Sequence, residues 1–189
     1  MTPEILHRET AYAGYLTVER LRLRLPDGGE AMREIESHGD AVAVLPYDPA
    51  TGVALIVRLL RAPAFLRDGE LALEEACAGM IEAEPEADAA RREALEELGL
   101  KLGPLEPIGR VWSSPGVSTE RVSLFLAPYA HSDRVSPGGG AAGEHEGITV
   151  IERSLATLAG DAAAGRLTDL KLLTLVLALQ VRRPDLFAG

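Results

Sequence analysis

Apolar and polar residues alternate along the first part of the chain in the manner of β-strands. Between residues 5 and 25 the alternation is loose, and it ends at a Pro-Asp-Gly-Gly turn signal over 26–29. A strand over about 30–37 would complete a hairpin around this turn. Two apolar runs, 41–45 and 53–57, flank a Tyr-Asp-Pro-Ala-Thr-Gly segment and predict a second, more buried hairpin.

Three later segments carry helix patterns with recognisable ends. The first covers about 86–98 and stops at Gly99, which suits the left-handed position after a helix. The second covers about 154–164 and begins with a serine that can cap it, and the third covers 169–182. Two further short strands are predicted over 108–112 and 122–127. Because strands enclose one central helix and two helices follow, the predicted class is α+β with mixed or antiparallel sheets.

Composition and charge exclude several classes of function. The 189 residues are 47% apolar, which predicts one compact domain with a small appendage. Nineteen basic against 29 acidic side chains give a formal charge of −10, which argues against binding to nucleic acid or to an anionic membrane. The one cysteine, Cys77, indicates a reducing cytoplasm. The apolar stretch over 170–179 is shorter than the roughly 20 residues of a bilayer span.

Three carboxylates share one face of the first predicted helix. Glu93 lies three residues before Glu96 and four before Glu97, so the like charges repel by about 0.2–0.5 kcal/mol per pair. Glu96 and Glu97 also lie in the last turn before Gly99, where the helix dipole disfavours anions by about 0.3–1 kcal/mol each. A cation between the acids would remove this penalty, and the arrangement therefore predicts a cation site.

The donor types narrow the identity of that cation. The helix offers carboxylate oxygens with neither cysteine nor histidine nearby, which favours Mg²⁺, with Mn²⁺ as the alternative. The competing interpretation is a solvated acidic surface that Arg91 and Arg92 balance in part. Charge pattern and dipole together leave both interpretations open at this point.

Residues 79–100 resemble the box of the Nudix hydrolases. Its second half, Arg-Glu-aliphatic-x-Glu-Glu-x-Gly-aliphatic, is matched at every fixed position by residues 92–100, with Ala94 as a small aliphatic. Its first half is one residue short, because Gly79 lies only five residues before the glutamate expected at Glu84. A shortened box of this kind is similar to that of the GDP-mannose pyrophosphatase branch.

The resemblance extends over roughly 30–180, to the ADP-ribose and nucleotide-sugar hydrolases of the family. Four segments outside the second half of the box carry it: Cys77-Ala78-Gly79-Met80-Ile81, Arg58 with Arg61, Ser114-Pro115-Gly116 with Thr119-Glu120, and Gly138-Gly139-Gly140 before Glu144-His145-Glu146. It implies a Nudix-type α/β/α sandwich with a mixed sheet over 39–189. It also implies an N-terminal antiparallel β segment over 1–38, exchanged or packed across a homodimer.

Residues at matching positions receive the family's roles by this resemblance. The metal ligands implied are the carbonyl of Ala78 and the carboxylates of Glu93, Glu97, Glu96 as a second or bridging ligand, and Glu146. Arg92 would orient the helix glutamates by charge-assisted hydrogen bonds. The general base would be Glu144 or Glu120, and Glu144 is favoured because a glycine-flanked loop can close over substrate. The substrate-binding residues implied are Arg58, Arg61, Ser114 and Gly116.

The reaction implied is metal-dependent hydrolysis of the diphosphate bond of a nucleoside diphosphate sugar, of the GDP-mannose or ADP-ribose type. The shortened box and the Cys77-Ala78-Gly79 entry favour GDP-mannose, although the contacts that choose base and sugar are not identified from the sequence. The alternative is a catalytically silent Nudix-like module that binds a nucleotide, or a protein through the acidic tract over 68–106. Retention of Glu93, Glu96 and Glu97 favours the enzyme.

Overall fold

The alternating segments at the start of the chain form a three-stranded antiparallel sheet in the computed structural model, which describes residues 2–141 and 147–187. Its strands are β1 (Glu4–Ala13), β2 (Thr17–Arg24) and β3 (Glu30–Ser37), in the order β1-β2-β3. The predicted turn is confirmed, since the Gly28 N–H donates to the carbonyl oxygen of Leu25 at 2.9 Å. Nine of the ten β1 residues are exposed.

A second sheet of seven strands follows. The remaining strands are β4 (Ala41–Asp48), β5 (Val53–Leu59), β6 (Leu73–Glu75), β7 (Cys77–Met80), β8 (Glu106–Trp112), β9 (Arg121–Pro128) and β10 (Thr149–Ser154). The sheet has the order β10-β5-β4-β9-β8, with β6 paired to β5 and β7 paired to β4. All eight residues of β4 are buried, because this strand lies in the middle of the sheet.

The described residues contain four α-helices. They are α1 (Ala62–Asp68), α2 (Glu86–Leu98), α3 (Leu155–Ala163) and α4 (Leu170–Arg182). The three helices predicted from the sequence are confirmed as α2, α3 and α4, and the α+β class is confirmed with them. The elements that had not been predicted include α1, β6, β10 and two short 3₁₀ helices, His131–Asp133 and Pro184–Phe187. Among the residues that the structure describes, every helix is too short or too polar to cross a bilayer.

The chain divides into two compact units. The first unit is 1–41 with 110–122, and the second unit is 42–109 with 123–189. The segment over 110–122 therefore groups with the N-terminal strands, a grouping that the predicted boundary between 38 and 39 did not include. That boundary, and the exchange of 1–38 across a dimer, stay predictions.

Small residues let α2 pack closely on the core of the second unit. Ala89, Ala90 and Ala94 are fully buried on the same helix, in one cluster with apolar residues of β4 and β5 such as Val44 and Leu55. Alanine has the strongest helix propensity and needs little room, so the helix approaches the strands without loss of stability. Because these alanines face the core, the polar residues of α2 lie on another face of the helix.

The end of α2 depends on Gly99. Its φ of 69° is left-handed, and its N–H donates to the carbonyl oxygen of Leu95 at 3.1 Å. A Cβ at this position would lie 2.0 Å from the backbone oxygen of Ser136. Both the conformation and the contact therefore require glycine.

We expect Gly99→Ala to lower the free energy of unfolding by more than about 2 kcal/mol, because it adds left-handed strain and a backbone clash. Gly103→Ala is the matched control, since no described atom lies within 4 Å of the Cβ it would add. Urea unfolding of the two variants measures the difference. Equal stability of the two would show that the segment around Ser136 yields freely.

Candidate active site

The C-terminal half of α2 carries the predicted carboxylates. Glu93 and Glu97 lie one turn apart, and only 9% and 5% of their surfaces are exposed. Glu96 keeps 35% of its side chain exposed. The last turn, 95–98, contains two glutamates and no basic residue in the sequence, so the helix itself does not offset the negative end of its dipole. Two nearly buried carboxylates at this pole need hydrogen-bond donors or a cation.

Strand β7 provides the space for the Glu93 carboxylate. A Cβ on Gly79 would lie 2.0 Å from Oε1 of Glu93. The missing side chain therefore leaves a hollow that the Glu93 carboxylate fills. This close approach explains in steric terms why the first position of the box is a glycine.

Arg92 gathers the acidic side chains around one guanidinium. Its Nη1 donates to Oε1 of Glu93 at 2.7 Å and to Oε2 of Glu96 at 3.1 Å. Its Nη2 donates to the carbonyl oxygen of Met80 at 3.0 Å. Burial disfavours the charged guanidinium, but the hydrogen bond to Glu84 and the charge of Glu93 outweigh it, so the pKa of Arg92 is raised. Arg92 therefore remains charged and fixes these side chains.

Glu84 is the fourth partner of this arginine. Arg92 Nε donates to Oε1 of Glu84 at 2.9 Å. The box is one residue short before Glu84, and the sequence alone did not settle whether this glutamate keeps a place in the site. The contact shows that the loop before α2, although one residue shorter, still brings Glu84 to Arg92.

Glu97 is held from the strand side. The Ala78 N–H donates to Oε2 of Glu97 at 3.1 Å, and the Cys77 thiol hydrogen-bonds to the same carboxylate. Burial raises the pKa of the Cys77 thiol, and the negative charge of Glu97 raises it further. Cys77 is therefore a neutral, buried thiol that packs and orients rather than a nucleophile. The backbone of Ala78 therefore lies beside Glu97, and the role of the Ala78 carbonyl as a metal ligand stays a prediction.

The donor set fits a hard divalent cation. Glu93 and Glu97 supply carboxylate oxygens, the ligands that Mg²⁺ and Mn²⁺ prefer, at a helix end whose dipole favours positive charge. Within 2–141 and 147–187, no three acidic, histidine or cysteine side chains lie close enough to hold an ion. The Arg92 guanidinium holds Glu93 and Glu96 instead, and it satisfies the charge that an ion would satisfy.

Of the two predicted phosphate-binding arginines, Arg58 lies near the end of β5 and Arg61 follows that strand, both in the second unit. Arg58 Nη2 donates to Oε1 of Glu74 at 2.7 Å, and 48% of the Arg58 side chain is exposed. Arg61 donates from Nε and Nη2 to the two carboxylate oxygens of Glu75, at 2.7 and 3.2 Å. Both arginines are therefore oriented by acids of β6, and each keeps enough exposed surface to contact a ligand.

Glu75 belongs to a buried charge cluster that sequence reasoning missed. It is 3% exposed, and Lys171 donates to its Oε2 at 3.1 Å. Lys171 also donates to Asp169, the N-cap residue of α4, at 2.6 Å. Burial opposes ionisation of Glu75, but the Arg61 hydrogen bond and the Lys171 charge outweigh it and lower the pKa of the Glu75 carboxyl. The sequence did contain one signal of this cluster, since Lys171 interrupts the apolar run over 170–179.

Three further predicted site residues, Ser114, Gly116 and Glu120, belong to the first unit. Ser114 and Gly116 are exposed in the segment between β8 and β9, and Glu120 ends that segment. The Glu120 carboxylate lies 3.3 Å from Nε2 of His38, a partner that no spacing in the sequence indicated. Glu144 and Glu146 lie outside the described residues. The roles given to all of these residues stay predictions.

Comparisons with known proteins show the family of the chain. A sequence profile of the NUDIX domain matches residues 37–168. A GDP-mannose pyrophosphatase of Pectobacterium atrosepticum is 34% identical over 157 residues, which cover 82% of this chain and 80% of that protein. An ADP-ribose pyrophosphatase of Escherichia coli K12 is 37% identical over 155 residues, which cover 78% of this chain and 73% of that protein.

The fold has a solved counterpart. The crystal structure of an ADP compounds hydrolase matches this chain with a TM-score of 0.79 at 18% identity, over 98% of this chain and 96% of that one. At that identity the likeness concerns the fold alone. It covers nearly the whole length of both chains, including the N-terminal strands.

Proposed function

The chain belongs to the NUDIX domain family, and on that premise we propose that it hydrolyses the diphosphate bond of a nucleoside diphosphate sugar. The products are a nucleoside monophosphate and a sugar phosphate. The observation that carries the proposal is the pair of nearly buried carboxylates, Glu93 and Glu97, toward the negative end of α2. Arg92 donates a hydrogen bond to the first of them. A binding module without catalytic activity would not need two buried like charges near the negative end of a helix.

We propose Mg²⁺ as the cation, with Mn²⁺ as an alternative, held by Glu93, Glu97, the Ala78 carbonyl, Glu96 and Glu146. When bound, such an ion neutralises charge on the diphosphate and makes the attacking water more acidic. Arg92 holds Glu93 by its 2.7 Å hydrogen bond and so keeps the ligand oriented when the ion arrives. Magnesium suits a site of this kind because it retains waters and binds substrate phosphates.

The chain's own side chains provide the remaining chemistry. A water oxygen attacks one phosphorus, the bridging P–O bond breaks, and the leaving phosphate keeps the bridging oxygen. Glu144 or Glu120 accepts the proton of the attacking water. Arg58 and Arg61 contact the diphosphate oxygens in a bidentate geometry that lysine does not reproduce. Ser114 and Gly116 contact the substrate from their exposed segment.

A phosphate-release panel tests this function. ADP-ribose, GDP-mannose and related nucleotide sugars are incubated with the protein and a phosphatase, which releases phosphate from the monoester products and not from the intact diphosphates. We expect turnover with Mg²⁺ and none with a chelator. GDP-mannose is expected to be the better of the two named substrates. If no compound turns over with Mg²⁺ or Mn²⁺, the hydrolase assignment fails and the binding-module alternative replaces it.

We also propose a cytoplasmic homodimer in which β1 lies at the interface. Nine of ten β1 residues are exposed in the single chain, among them Ile5 and Tyr12, each 57% exposed. A strand that buries so little apolar surface gains stability when a second chain covers it. The buried, unpaired thiol of Cys77 suits a reducing compartment.

We expect the intact chain to sediment with the mass of two chains and Tyr12→Glu to shift it toward one, because a buried carboxylate in the interface would lack a partner. Sedimentation equilibrium over a range of concentrations measures both. A Tyr12→Glu chain that remains as dimeric as the original would remove β1 from the interface.

A further inference from the structure

His38, directly after β3, lies between two carboxylates. Its Nδ1 is 2.8 Å from Oε2 of Glu36, and its Nε2 is 3.3 Å from Oε1 of Glu120. All three side chains are largely withdrawn from solvent, at 20%, 24% and 18% exposure. The ring of Tyr15 stacks on the imidazole, with centroids 6.4 Å apart and planes inclined by 22°.

This geometry specifies the protonation state of the imidazole. An ionised carboxylate only accepts hydrogen bonds, and a neutral imidazole has one N–H donor and one lone pair. With a carboxylate at each ring nitrogen, the neutral form would direct its lone pair at an anion. The doubly protonated ring satisfies both contacts and carries the charge that two carboxylates favour.

The same residues connect β3 to the segment over 113–120. The Glu36 N–H donates to the carbonyl oxygen of Val117 at 2.8 Å, and the Thr119 N–H donates to the carbonyl oxygen of Glu36 at 3.0 Å. The Ser118 hydroxyl accepts from the Glu120 N–H at 3.0 Å and hydrogen-bonds to the Glu36 side chain. The backbone contacts fix Val117 to Thr119, whereas the Glu120 side chain depends on His38.

We propose that His38, as an imidazolium, is a positioning residue that holds the Glu120 carboxylate in one orientation at the end of the substrate-contacting segment over 113–120. The proposal rests on the proposed function, in which Glu120 is one of the two candidate proton acceptors, beside Glu144, and Ser114 and Gly116 contact the substrate. Loss of the His38 proton breaks the contact to one of the two carboxylates, and Glu120, at the longer distance, is the one released.

The direction of the pH effect follows from the groups that face the ring. The hydrogen bond to Glu36 raises the pKa of His38, burial opposes it, and the charges of Glu36 and Glu120 add to the increase. Tyr15 contributes the face of its ring to the imidazole. A raised pKa means that the contact is complete below the ordinary histidine value of about 6.5 and is lost as pH rises through the raised value.

Histidine NMR tests the contact without any substrate. The chain has four histidines, and the His38 signal is assigned by its absence in His38→Gln. We expect a His38 midpoint above about 6.5, lowered in both Glu36→Gln and Glu120→Gln. A midpoint at the ordinary value that neither variant moves would overturn the proposal, and this result stands even if the chain hydrolyses nothing.

Kinetics test the consequence for Glu120. We expect His38→Gln to lower kcat/KM about 10-fold near pH 6.5 and to flatten its decline at alkaline pH, as loss of one charge-assisted hydrogen bond implies. His38→Arg retains a permanent cation with several donors, so it should restore activity and keep it at alkaline pH. His131→Gln, at an exposed position after β9, is the control. A pH profile that is the same in His38→Gln and His38→Arg would overturn the proposal.

Discussion

Glu97→Gln should lose at least about 100-fold in metal-dependent turnover while the fold remains intact. Glutamine has nearly the same volume and keeps an oxygen that accepts the Ala78 N–H hydrogen bond, which is 3.1 Å long in the unchanged chain. It lacks the negative charge that a divalent cation needs from its ligand. Steady-state turnover of ADP-ribose and GDP-mannose over a magnesium titration measures the loss.

The stability of the same variant separates this explanation from simple damage. Glu97 lies in the last turn of α2 and close to Glu93, so neutralising it removes a repulsive charge at the negative pole and should add about 0.3–1 kcal/mol in the absence of metal. Saturating Mg²⁺ should raise the Tm of Glu97→Gln less than that of the original chain. Glu82→Gln makes the same chemical change at an exposed position before the helix. A metal-free loss above about 2 kcal/mol would mean that Glu97 is structural.

Elements with strong local signals were predictable from the sequence. The residue types at the two ends of the segment over 86–98, including Gly99 after its last residue, predicted a helix there. Helix α2 has the predicted bounds. The Ser154 cap of α3 was predicted for the same reason, and its hydroxyl accepts the Thr157 N–H at 3.1 Å. Local capping and turn chemistry act within a few residues, so one chain suffices to read them.

Elements that depend on distant partners were not predictable. Helix α1 keeps part of every residue exposed and has no side-chain cap, so no apolar periodicity marked it. Lys171 reaches Glu75 across 96 positions of the sequence, and His38 reaches Glu120 across 82. No spacing rule connects such residues, because the fold alone brings them together.

The candidate site shows both cases. The carboxylates of α2 follow from helical periodicity, and their common face was predictable from positions three and four residues apart. The place of Glu84 was not, since a loop one residue shorter could have carried it away from the helix. Its 2.9 Å contact with Arg92 is a tertiary fact, decided by how residues 81–85 turn between β7 and α2.

Arg92→Met should have opposite effects on the metal-free and the metal-loaded protein. Without metal, the carboxylates of Glu84, Glu93 and Glu96 lose their shared donor, and we expect the free energy of unfolding to fall by about 1–3 kcal/mol. In Arg92→Met a divalent ion supplies the missing positive charge, and it no longer competes with a guanidinium for these carboxylates. Mg²⁺ should therefore raise the Tm of Arg92→Met by more than it raises that of the original chain.

Turnover of the same variant should nonetheless fall about 10- to 100-fold, because Arg92 no longer holds Glu93 in the orientation that the ion requires. Arg92→Lys retains the charge but has one nitrogen, which cannot reach Glu84, the Met80 carbonyl and Glu93 together. Its stability and turnover should lie between those of the other two chains. Thermal unfolding with a chelator and with Mg²⁺, beside the phosphate-release assay, measures all three chains. An equal Tm shift by Mg²⁺ in Arg92→Met and the original chain would mean that the ion and the guanidinium do not compete for the same carboxylates.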